Sequence, residues 1–154
     1  MKIRLISTLL SLFILSGGLN FTILKADSHE ADASEEGTKL SGHMEEISKV
    51  FRRLRRQIRD TSKNADSAAL AGQMLEQAKA SLELEPAWTG DQPESEQADF
   101  VAGFKKNMKE FIGLLEDLQA AFQADDTDKA VAVVAKLRDH QKESHNAYKK
   151  PDDD

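Results

Sequence analysis

The chain has no cysteine among its 154 residues. Disulfides, a lipidated N-terminal cysteine and a thiol nucleophile are therefore excluded, and the fold must be held by its own core or by a bound group. It has only three prolines, and two of them, Pro86 and Pro93, fall in one stretch, leaving long segments free to be helical. There is no alternating strand pattern and no glycine-rich phosphate loop. No carboxylate pair sits on an apolar stripe. Basic residues are outnumbered, 21 to 27, which argues against a nucleic-acid partner, because nucleic acid rewards a basic face.

Only one long apolar run is present, and it is N-terminal. In MKIRLISTLLSLFILSGG, Lys2 and Arg4 precede an apolar stretch from Leu5 to Leu15. This is the pattern of a secretory signal peptide, and the run falls short of the about 20 residues of a membrane span. Residues 1–26 are read as the signal, cleaved after Ala26. Their removal takes away Lys2, Arg4 and Lys25 and no acid, moving the net charge from −6 to −9. The mature form is expected to have no membrane span. Residues 27–39 are acidic and poor in large apolar side chains, so they read as a disordered leader. Residues 40–150 form one domain, and 151–154 an acidic tail.

What the domain does have is helical periodicity. Met44, Ile47, Phe51, Leu54 and Ile58 recur every three or four residues, one helical stripe with Ser41 as its expected N-cap. A second stripe runs through Leu70, Ala71, Met74, Ala78, Ser81 and Leu82, with Asp66 or Ser67 as cap. The third is unbroken from Phe100 through Phe104, Met108, Phe111, Leu115 and Leu118 to Phe122. The fourth contains Ala130, Val134, Leu137, Gln141, His145 and Tyr148, capped by Asp125 or Thr127. Four helices of about 20 residues predict an all-α, antiparallel up-down-up-down four-helix bundle.

That topology brings the start of helix 1, the end of helix 4, the end of helix 2 and the start of helix 3 to one end. Met44, His145, Phe100, Phe104 and Leu82 should meet there, with the Pro86–Trp88 loop closing over them. A thioether and an imidazole among apolar walls can ligate a low-spin haem iron from its two sides. Each also has a plainer explanation: methionine fills core gaps, and a histidine is favourable near a helix C-terminus.

Three strings sharpen the choice. Met44 heads helix 1, DFVAGF (residues 99–104) opens helix 3, and SHNAYKK closes helix 4. In this order they resemble the cytochrome b562 and cytochrome c′ group of four-helix bundles. The D-F-x-x-G-F string is similar to the b562 branch, where its phenylalanines pack around the haem. HNAYKK is closer to the c′ branch, whose C-x-x-C-H motif is typically followed by tyrosine and basic residues. Here Gln141 and Ser144 stand in the cysteine positions before His145, so haem must be b-type and non-covalent. The resemblance implies a periplasmic electron-transfer protein, not an enzyme, with iron held by Met44 and His145. Phe100, Phe104, Leu82 and Gln141 would contact the macrocycle, and electrons would pass to a redox partner protein whose identity the sequence does not give. Monomer and dimer remain equally open.

His43, next to Met44, is the second-ranked axial candidate, since its side chain points about 100° away at 3.6 residues per turn. The alternative function is a haem-free secreted bundle, acting as a binding module or holding copper or zinc through His43, Met44 and His145. His140 and His145 are five apart and do not share a face. Arg52, Arg53, Arg55, Arg56 and Arg59 read as a solvated basic face, or alternatively as a docking patch for an acidic redox partner. Trp88 reads as loop packing.

Overall fold

The computed structural model describes residues 28–150, with side chains described from Lys39 onward. The proposed signal peptide and acidic tail lie outside the described residues. Four helices follow one another: α1 (Ser28–Gln57), α2 (Asn64–Ser81), α3 (Glu94–Gln123) and α4 (Thr127–Tyr148). Short 3₁₀ turns at Thr61–Lys63 and Ala87–Asp91 interrupt the first two links. No strand occurs among the described residues, so the expected all-α four-helix bundle is what forms.

Cross-helix contacts fix the antiparallel sense. His43 near the middle of α1 meets Gln77 late in α2, while Arg53 near its end meets Asp66 early in α2. On the opposite side, Phe104 contacts Tyr148, Asn107 contacts Ser144 and Phe111 stacks on His140, so α3 and α4 run past each other in reverse. Backbones approach closely between α1 and α2, α2 and α3, and α3 and α4; α1 and α4 stand further apart. The centre of the bundle is filled by Leu54, Leu70, Met74, Leu115, Leu118 and Leu137, each at most 2% exposed. These are the apolar positions of the four stripes.

The helix ends differ from expectation. Ser41 is not a cap, because the α1 backbone is helical from Ser28, through most of the segment read as an unstructured leader. That segment is rich in alanine and glutamate, good helix formers, and no proline interrupts it. Neither Asp66 nor Ser67 caps α2. The turn capped by Asp60 has already aimed the chain, so α2 starts at Asn64. Ser67 is then fully buried, where Gln57 Nε2 donates to its hydroxyl, and Asp66 pairs with Arg53. Helix α3 begins directly after Pro93, with Glu94 and Glu96 in its first turn, where acids complement the helix dipole. The cap of α4 falls between the two expected residues: Asp126 accepts from Lys129 N–H at 2.9 Å. Asp125 instead adopts a left-handed φ of 56° that reverses the chain, a conformation aspartate tolerates better than most residues. Its carboxylate accepts from Asn64 at 2.9 Å.

Candidate functional site

The separation of α1 from α4 leaves a cavity of about 530 Å³ towards the end where α4 finishes, well within the size range of cofactor pockets. Met44, Ile47 and Phe51 form its α1 wall. Helix α3 contributes Phe104, Met108 and Phe111, and α4 contributes His140, Gln141, His145 and Tyr148. The i, i+3, i+4 and i+7 spacing turns the α1 and α3 residues, and Gln141, His145 and Tyr148 of α4, to a common side, and His140 borders the cavity from the adjacent stripe of α4. Trp88, carried by the 3₁₀ turn after Pro86, closes part of the mouth beside Lys149 and Lys150.

Of the residues expected at the site, Met44, His145, Phe104 and Gln141 line the cavity. Phe104 is 6% exposed and Met44 is half-buried, while His145, in the last turn of α4, is exposed at the rim. Phe100 and Leu82 are not part of the wall. Phe100 lies behind it, edge-on to Tyr148 at 5.3 Å and to Trp88 at 5.9 Å between ring centres. Tyr148 also meets Phe104 edge-on at 5.6 Å. Phe100 therefore buttresses two rings that do line the cavity, as expected for favourable edge-to-face pairs. Leu82 packs against the core from the end of α2.

His43 is turned away. Its Nδ1 lies 2.7 Å from Gln77 Oε1, and the residue does not border the cavity. The trio His43, Met44 and His145 is thus not gathered, and no group of three or more His, Cys, Asp or Glu side chains suited to a metal occurs among the described residues.

Two wall residues were not assigned a role from the sequence. Trp88 is one; the signal was its position two residues after Pro86, in the only long link, which must cross this end of the bundle. The other is His140, whose ring stacks on Phe111 at 5.8 Å. Ser144 Oγ lies 2.7 Å from both Asn107 Oδ1 and the His140 carbonyl, and 3.2 Å from His140 Nδ1. Once the single hydroxyl proton goes to one of those oxygens, Nδ1 is left to donate to Oγ. That assignment places the ring's lone pair on Nε2, which is buried and has no partner.

The wall therefore fits a flat, mostly apolar group with a coordinating centre: aromatic and aliphatic surfaces, the thioethers of Met44, Met74 and Met108, and two imidazoles, one of which carries an unsatisfied buried nitrogen. The family model for cytochrome b562 matches residues 39–149, which takes in α1 from Lys39 onward and all of α2, α3 and α4. No curated protein and no solved structure matches the chain significantly.

Proposed function

The chain belongs to the cytochrome b562 family, a family of haem-binding electron carriers, and from that premise we propose that it holds one non-covalent b-type haem in the cavity between α1 and α4. The observation that carries this reading is that Met44 of the first helix and His145 of the last line the same apolar cavity. With no cysteine in the chain, attachment rests on ligation and packing alone. Bound haem supplies one-electron iron chemistry, with a potential that methionine–histidine ligation raises. Met44 offers its thioether sulfur and His145 a ring nitrogen. Phe104, Met108 and Leu115 present the apolar wall that keeps water from the buried side. Gln141, half-buried one turn before His145, borders the same space.

The N-terminal segment would direct the protein to the periplasm, the usual compartment of the family. No helix among the described residues is long and apolar enough to cross a membrane. Electron exchange with a partner protein would take place at the cavity mouth.

Titration of the purified protein with haemin tests the proposal. One equivalent should give a sharp Soret band, and dithionite should give a narrow, split α-band. A broad high-spin spectrum would remove Met44 or His145 from the iron. Absence of a stoichiometric Soret band would leave a haem-free binding module as the reading. One observation favours a different α4 ligand, namely the unpartnered Nε2 of His140. A His145→Ala variant that keeps the low-spin spectrum, beside a His140→Ala variant that loses it, would transfer the ligand role to His140.

A further inference from the structure

The seam between α1 and α4 has a second opening towards its other end. Arg55, Ile58 and Arg59 face Val131, Val134, Ala135 and Arg138 across a pocket of about 290 Å³. The second set has i, i+3, i+4, i+7 spacing and is one face of α4, while Arg55 lies in the last turn of α1 and Ile58 and Arg59 in the turn that follows it. Val134 is buried, while Ile58 and Val131 are only half-buried, leaving an apolar floor open to solvent. Three exposed arginines border that floor and no acidic residue lines it.

Acids outnumber bases by six over the whole sequence, yet among the described residues none of Arg55, Arg59 and Arg138 forms an ion pair. Arg53, on the neighbouring face, does pair, with Asp66 at 3.2 Å. Arg55 is partly positioned by Phe51, its guanidinium lying 5.9 Å from the ring centre, a favourable cation–π distance. Like charges bordering one pocket repel unless an anion joins them, and guanidinium forks suit carboxylate and phosphate oxygens. The two pockets share no lining residue, although Arg55 rests on Phe51 of the first cavity's wall and Arg138 adjoins Leu137 of that wall.

We propose that this pocket binds an amphipathic anion: a phosphate or carboxylate head held by Arg55, Arg59 and Arg138, with a short apolar chain on Ile58, Val131 and Val134. The sequence placed Arg55 and Arg59 in one basic run but gave no reason to join them to Arg138. Only the facing of α1 and α4 does so. The site is independent of haem, and its failure would leave the proposed electron-transfer role untouched.

Methyl NMR of the purified protein titrated with monomeric octyl phosphate is the test, with inorganic phosphate and octanol as separate titrants. Saturable shifts should appear at the Ile58, Val131 and Val134 methyls. Octanol, which lacks the anionic head, and inorganic phosphate, which lacks the chain, should each bind about tenfold more weakly or worse, since one charge-assisted contact or about two buried methylenes is of that order. An Arg55→Gln, Arg138→Gln double variant, confirmed folded by circular dichroism, should lose at least as much affinity. Arg55→Lys should lose less. Cosedimentation with anionic phospholipid vesicles would identify a lipid headgroup as the source, and binding of the monomer alone a free amphiphile. Absence of saturable shifts, equal binding of octanol, or shifts confined to the Met44 and Met108 methyls would overturn the proposal.

Discussion

At the end of the α1–α4 seam that contains Met44 and His145, the facing side chains are aromatic, thioether and imidazole; at the end that contains Arg55 and Arg138, they are guanidinium around a few aliphatic carbons. Both openings arise from one cause, the wider spacing of the first and last helices, which no short link ties together. The scaffold provides two gaps, and the residues bordering each decide its chemistry. All four helices fill the centre, and Met74, Leu115 and Leu137 belong both to that core and to the wall of the first cavity.

The largest expected effect tests that shared core. Leu118 is fully buried, one turn beyond Leu115 of the cavity wall and one turn before Phe122. Leu118→Ala should cost about 2–5 kcal/mol in urea unfolding, the range for truncating a buried leucine. Both openings should loosen together. A midpoint close to the parent's would mean that the two ends are supported independently.

A smaller effect on stability, with a larger one on chemistry, is expected at the thioether end. Met44 is half-buried, and Met44→Leu conserves volume, so stability should change by less than about 1.5 kcal/mol. The reduced spectrum of the haem-loaded protein should nevertheless change, because leucine offers no sulfur to iron. An unaltered spectrum would remove Met44 from the coordination sphere and leave it as a packing residue of the cavity only.

How much of this was legible beforehand follows from the kind of signal each feature leaves. The four stripes name the core because burial imposes a 3.6-residue period, and Leu54, Met74, Leu118 and Leu137 all sit where it places them. Met44, Phe104 and His145 meet as expected because antiparallel order alone brings their ends together. Phe100 fails as a wall residue, although it shares a stripe with Phe104, because Tyr148 stands between it and the cavity. Periodicity assigns a face but not a depth. His140 lies off the stripe of His145, yet helix α4 presents more than one stripe to a gap as wide as this one. Helix starts were misplaced where a neighbouring turn, as at Asp60, or an uninterrupted helical segment, as before Ser41, outweighed the local capping preference.

The smallest effect lies in the turn that follows the arginine end. Asp60 accepts from Ser62 Oγ at 2.6 Å and from Ser62 N–H at 3.2 Å, and Lys63 stands 3.4 Å away. The Ser62 hydrogen bond outweighs desolvation and, with help from Lys63, holds this carboxyl below its ordinary value of 3.8. The folded chain then binds this proton less readily than the unfolded chain. The carboxylate's contribution is complete above the ordinary carboxylate range and is lost as pH falls through 3.8 and the lowered value. Asp60 is fully exposed, so solvent keeps the effect small. Asp60→Asn should remove that part of the acid slope when urea midpoints are compared between pH 6 and pH 3. Parallel profiles for parent and variant would show that the Asp60 turn follows the helices rather than helping to set the start of α2 beside Arg59.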